Sequence, residues 1–141
     1  MTPVERGPAA TDAGEGWSTF ELVSGVPDIA KVRRWARSVL SDLLEDDLVD
    51  VLLVLSELAS NVFDHARFPA RLKLCRSTDL GVVGIVAEDS SPALPRLQPS
   101  NPDSARSRGL VIVEQLSARW GVVQRLMGKY VWAIVACPAV S

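Results

Sequence analysis

Ser56-Glu57-Leu58-Ala59-Ser60-Asn61-Val62-Phe63-Asp64-His65-Ala66 is the stretch from which the rest of this chain is best read. Together with Val51, Leu52 and Leu55 before it, its Leu58, Ala59, Val62, Phe63 and Ala66 recur at helical spacing and define one apolar face. Residues four apart on a helix project the same way, so Glu57 and Asn61 share the other face, near Asp50, Asp64 and His65. A carboxylate, an amide oxygen and a further acid or imidazole make a mount for hydrated magnesium and an activated hydroxyl. The plainer reading is a solvated helix face, but such faces normally mix acids with Lys or Arg, and none occurs from Asp46 to Ala66. Spacing alone favours the solvated face; the downstream sequence favours a site.

Outward from this helix the chain divides into short elements. Residues 1–15 carry Pro, Gly, Ala and charge and are expected to form a flexible tail without a signal-peptide core. Gly16 to Val23 alternates as a half-buried strand, and Gly25-Val26-Pro27 turns into a helix expected to run to about Leu44. Glu45, Asp46 and Asp47 set negative charge at the start of the next helix, which Phe68-Pro69 ends. Arg71 to Arg76 and the apolar run Val82 to Ala87 read as a hairpin whose second strand is central and delivers Glu88-Asp89 at its end. Ser90 to Ser107 holds Pro92, Pro95, Pro99 and Pro102 without periodicity, as a lid would. Arg108 to Ala118 reads as a short helix, and Trp120 to Leu126 and Tyr130 to Ala136 as a closing hairpin. The expected order, β-α-α-β-β-lid-α-β-β, is an α+β domain over 16–137 with helices on one face of the sheet and a short tail at 138–141.

Composition narrows the function. The 141 residues suit one domain with its own core. A balance of 15 basic and 17 acidic residues leaves no electrostatic footprint for nucleic acid or an anionic membrane. No apolar run approaches a membrane span, so a cytoplasmic setting is expected. Cys75 and Cys137 lack metal-ligand spacing and read as buried thiols.

Three pieces then converge. One helix presents Glu57 and Asn61, a buried strand delivers Asp89, and a loop leads to Arg108-Gly109, where a new helix is expected to begin. Helix N-termini bind phosphate through free amides, and glycine lets the backbone approach. A carboxylate at a strand end accepts from an exocyclic amine, and magnesium takes few protein oxygens beside phosphates and water. These describe a nucleoside triphosphate site with adenine at Asp89, metal at Asn61 and phosphates under the loop. It is not a P-loop, because Gly128-Lys129-Tyr130 lacks the upstream glycine and the hydroxyl residue.

Ser56-Glu57-Leu58-Ala59-Ser60-Asn61 with Asp64-His65-Ala66 resembles the N-box of the ATPase superfamily of DNA gyrase, heat-shock chaperones and sensor histidine kinases. Within it the chain is most similar to the bacterial anti-sigma factor serine kinases and their small stand-alone relatives. Glu88-Asp89-Ser90-Ser91-Pro92 resembles the adenine box, Arg108-Gly109-Leu110-Val111-Ile112-Val113 the second glycine box, and Arg119-Trp120-Gly121 with Gly128-Lys129-Tyr130-Val131-Trp132 the closing hairpin. The resemblance implies a two-layer α/β sandwich of the Bergerat type with a mixed, mostly antiparallel sheet. It implies Glu57 as general base, Asn61 as the Mg2+ ligand, and Asp89, Ser91, Arg108, Gly109 and Leu110 as ATP-binding residues. It also implies a homodimer and two protein partners: a sigma factor held inactive, and an anti-sigma factor antagonist phosphorylated on serine. The chain departs from the pattern in three places. Asp89 is followed by Ser90, Ser91, Pro92 and Ala93 where the pattern usually continues Asp-x-Gly-x-Gly, Ser107 stands where a further glycine is common, and Tyr130 stands where a Thr near the adenine is usual. Those losses leave open a second reading, a non-catalytic module that binds a sigma factor or another regulator through a degenerate nucleotide site.

Overall fold

The computed structural model describes residues 16–22, 28–65, 69–90 and 105–138, with the side chains of 64, 65 and 105–110 outside that description. The elements in chain order are β1 (Trp17–Leu22), α1 (Ile29–Val39), α2 (Glu45–His65), β2 (Ala70–Ser77), β3 (Val82–Asp89), α3 (Ala105–Leu116), β4 (Arg119–Arg125) and β5 (Gly128–Ala136). The strands form one sheet in the order β1-β2-β3-β5-β4, and every pairing is antiparallel. The expected mixed sheet is thus purely antiparallel among the described residues. No described helix is long and apolar enough to cross a membrane.

Strand alternation sorts the sheet into two faces. Leu72 and Leu74 of β2, Val83, Ile85 and Ala87 of β3, and Val131, Ala133 and Val135 of β5 join one core with Val32 and Ala36 of α1, Val113 of α3 and the apolar face of α2. In α2, Val51, Leu52, Leu55, Leu58, Ala59 and Val62 are buried as their spacing requires, and so is Val54. The opposite face carries a smaller cluster of Val86, Tyr130 and Trp132, with Trp17, Val123 and Ile134 against it. Among the described residues helices therefore cover one face only, as in the two-layer α/β sandwich expected.

Several boundaries differ from the sequence reading, each for a local reason. Asp28 caps α1, its Oδ1 accepting from Lys31 N–H at 3.0 Å, so the first helical position is Ile29 where the sequence suggested Pro27, itself outside the described residues. α1 stops at Val39 and not near Leu44, because Leu40 leaves helical geometry and Leu43 N–H turns back to its carbonyl at 3.0 Å. The last helix begins at Ala105, three residues before the expected Arg108. Of the lid expected over Ser90 to Ser107, residues 91–104 lie outside the described residues, while Ala105 to Ser107 belong to the last helix. β5 begins at Gly128, so only Leu126 and Met127 separate it from β4, and both are exposed. The β2–β3 turn depends on Gly81, whose φ of 63° favours glycine and whose carbonyl accepts from Cys137 N–H at 2.8 Å. Cys137 is buried, which pushes its thiol up to about 11, while Cys75 is half-buried.

Two contacts outside the core have measurable consequences. Arg76 of β2 donates from Nε to Asp42 Oδ2 at 2.9 Å, tying the sheet to the α1–α2 connection. That hydrogen bond holds the Asp42 carboxyl below its ordinary range. A lowered folded pKa stabilises above the unfolded value and is lost as pH falls through the folded one. Asp42 is largely exposed, so Asp42→Asn should cost less than about 1 kcal/mol at neutral pH. The gap from wild type should close in acid, which urea melts across pH will read. At Gly128 a Cβ would lie 2.3 Å from the Asp89 carbonyl oxygen, with backbone on both sides of the clash. Gly128→Ala should therefore destabilise by roughly 1–3 kcal/mol, as overpacking does. Met127→Ala, at the exposed tip beside it, should stay within about 0.5 kcal/mol in the same thermal melts.

Candidate functional site

The end of β3 places two consecutive carboxylates on opposite faces of the sheet. Asp89 continues the series Val83, Ile85, Ala87 and so lies on the helix-covered face, whereas Glu88 continues Gly84 and Val86 on the other. Each acid meets its own lysine. Lys73 Nζ lies 3.0 Å from Glu88 Oε1, and Arg125 lies 3.9 Å from Glu88 Oε2. Lys129 Nζ lies 3.1 Å from Asp89 Oδ1 and 2.9 Å from Oδ2. The second pair is the more sheltered, with side-chain exposures of 8% for Lys129 and 5% for Asp89. Cross-strand register explains it, since Asp89 and Lys129 stand directly opposite each other on β3 and β5.

Glu57 and Asn61 lie on the same side of the sheet as Asp89, because α2 packs across β3 and β5. Both are half-buried, and Asn61 takes part in contacts of its own. The outward face of α2 is marked instead by Asp46, Val49 and Leu53, so Glu57 and Asn61 sit at its margin and not on its fully solvated stripe. Among the described residues no three His, Cys, Asp or Glu side chains converge as a self-sufficient metal site. One amide oxygen beside one carboxylate fits an ion held mainly by phosphates and water, the manner in which magnesium is usually bound.

The remaining site residues fare differently. Ser91 lies outside the described residues. Because α3 begins at Ala105, Arg108 and Gly109 are its fourth and fifth residues and Leu110 its sixth. Helices leave only their first few amides unpaired, so Gly109 N–H falls within the helical ladder and is not the free N-terminal donor expected from sequence. A cleft of about 310 Å³ opens at the end of β3, lined by Ala70, Arg71, Glu88, Asp89, Ser90 and Arg125 among others. Ser90 closes one side, its hydroxyl donating to the Pro69 carbonyl at 2.9 Å.

Tyr130, expected where a Thr near the adenine is usual, does not lie on the Asp89 side of the sheet. It points to the uncovered face, where it is 3% exposed and the Arg125 guanidinium stacks 4.7 Å from its ring centre. Lys129 is the residue on the Asp89 side, and the sequence reading did not include it. The signal was present in the alternation Lys129, Val131, Ala133, Val135, which puts Lys129 on the core face once the turn is confined to Leu126 and Met127. Of the tryptophans, Trp35 packs against Phe20 at 5.4 Å between ring centres, Trp132 is buried, and Trp120 donates from Nε1 to Glu114 Oε2.

The family model of the histidine kinase-like ATPase domain matches residues 24–134. Among solved structures the chain is similar to the histidine kinase domain of the Erythrobacter litoralis EL346 blue-light activated histidine kinase. The two are 18% identical with a TM-score of 0.50, over 77% of this chain and 59% of that one. A second structure, of the Erythrobacter litoralis EL346 blue-light activated histidine kinase, aligns with a TM-score of 0.53 at 17% identity, over 77% of this chain and 40% of that one. The chain thus spans less than two thirds of either structure, and at such identities the likeness speaks for the fold alone. No curated protein is similar enough to count as a match. With a family match over most of its length and helices covering one face of an antiparallel sheet, the chain belongs to the histidine kinase-like ATPase domain family.

Proposed function

We propose that this protein binds ATP with Mg2+ and is a serine/threonine-protein kinase regulating transcription as an anti-sigma factor. Its protein substrate would be an anti-sigma factor antagonist, and its captive partner a sigma factor; the working form would be a cytoplasmic homodimer. The observation that carries this reading is the position of Asp89. It is a sheltered carboxylate at the end of a central strand, on the sheet face that also receives α2 with Glu57 and Asn61. In this reading Asp89 accepts from the exocyclic amine of adenine, and Ser91, Arg108, Gly109 and Leu110 border the nucleotide. Asn61 would hold magnesium, which supplies charge neutralisation at the phosphates. Glu57, one helical turn from Asn61, accepts the proton of the attacking serine hydroxyl. The alternative, a regulator-binding module with a degenerate site, is favoured by the ion pair that already occupies Asp89.

Three substitutions separate the roles. Glu57→Ala should leave ATP affinity within a few-fold, yet slow phosphate transfer by on the order of 100- to 10,000-fold, since a general base acts only in the transition state. Asn61→Ala should lower both quantities, because the metal contacts phosphate before and during transfer. Asp89→Asn should weaken ATP much more than inorganic triphosphate. Calorimetric titration combined with transfer to candidate antagonist proteins gives all three comparisons. Equal phosphate transfer by Glu57→Ala and wild type would exclude Glu57 as the general base, and ATP binding without any transfer by wild type would exclude the kinase role and favour the binding module.

A further inference from the structure

We propose that Lys129 is an internal competitor for the carboxylate of Asp89, so that a nucleotide base gains this acceptor only by displacing the lysine. The inference rests on the reading of Asp89 as the base-binding residue and concerns how that same site is regulated. Both carboxylate oxygens are within 3.1 Å of one ammonium, and neither side chain is more than 8% exposed. The site is therefore filled by the protein's own cation in the free state.

The backbone beneath the pair is pinned. Asp89 and Lys129 are cross-strand partners, and Gly128 lies so close to the Asp89 carbonyl and Ser90 that a Cβ there would meet both. The two strands cannot separate locally without undoing this contact. Displacement must come from the lysine side chain, a four-carbon stem with several rotatable bonds that can carry the ammonium away while the strand stays in place. Whatever replaces the ammonium must donate hydrogen bonds to a carboxylate, as the exocyclic amine of adenine does. Binding free energy is a difference between states, so an acceptor that is already paired contributes less to affinity than one left without its cation. The lysine thereby sets a threshold on nucleotide occupancy, and any partner that draws it away would raise affinity for the base.

The test compares wild type, Lys129→Met, Asp89→Asn and the double variant, each titrated with ATP, adenosine and inorganic triphosphate by calorimetry. Circular dichroism and thermal melts establish that each variant is folded; the double variant, which buries no unpaired charge, guards against loss of Lys129→Met through instability. Lys129→Met should bind ATP and adenosine about ten-fold more tightly than wild type, the scale of one charge-assisted hydrogen bond. Triphosphate, which has no base, should gain nothing. In the Asp89→Asn background the lysine substitution should make no difference. Equal or weaker adenosine binding by folded Lys129→Met, with Asp89→Asn still impaired, would overturn the competitor role and leave the base-binding role of Asp89 intact. If Asp89→Asn binds adenosine as wild type does, or no form binds a nucleotide, the base-binding reading fails and this inference with it.

Discussion

The strict alternation of β3 is the constraint on which this molecule depends. β3 is hydrogen-bonded on both sides, by β2 and by β5, so its register cannot slip without breaking two ladders. Val83, Ile85 and Ala87 must then face α2, and Asp89 must follow them onto the helix side two residues later. A slip of one residue would put Glu88 there and send Asp89 to the uncovered face. The chemistry at the strand end is thus set by packing in its middle.

The same constraint explains why the two acids at the end of β3 have separate partners. Glu88 belongs to a polar group with Lys73 and Arg125 beside Tyr130, on a face that no helix covers. Asp89 belongs to a dry pair with Lys129 at the edge of the main core. Burying an isolated carboxylate is costly, and a lysine directly across the ladder offsets that cost in the free protein. In the proposed nucleotide site the same carboxylate would also accept from a base, which would set structural pairing and ligand binding in competition for one group.

Much of the fold was legible because its signals are local. The helical spacing of Val51, Leu52, Leu55, Leu58 and Val62 marks α2, and the run from Val82 marks a central strand; both occur where expected. The boundaries were less legible. α1 ends early because Leu40 turns the chain toward α2, and α3 begins at Ala105 although nothing in Ala105-Arg106-Ser107 announces a helix start. Of the candidate site, Glu57, Asn61 and Asp89 were nominated from spacing and position, and the structure brings α2 and Asp89 to one side of the sheet; Tyr130, expected where a Thr near the adenine is usual, faces the other side, and Lys129 was overlooked. Lys129 was missed because reading Met127-Gly128-Lys129 as the hairpin turn starts β5 at Tyr130 and leaves Lys129 outside the strand, whereas β5 begins at Gly128.

By itself the sequence determined the succession of elements, the apolar faces and the candidate carboxylates, because periodicity and residue chemistry act over a few neighbouring positions. Only the tertiary structure decided which face each strand-end residue occupies, that Gly109 lies inside its helix, and that Lys129 meets Asp89. The first and last of those outcomes depend on the pairing of β3 with β5, segments separated by α3 and β4 in the chain. Cross-strand register is a long-range property, fixed when the core closes, and no local pattern contains it.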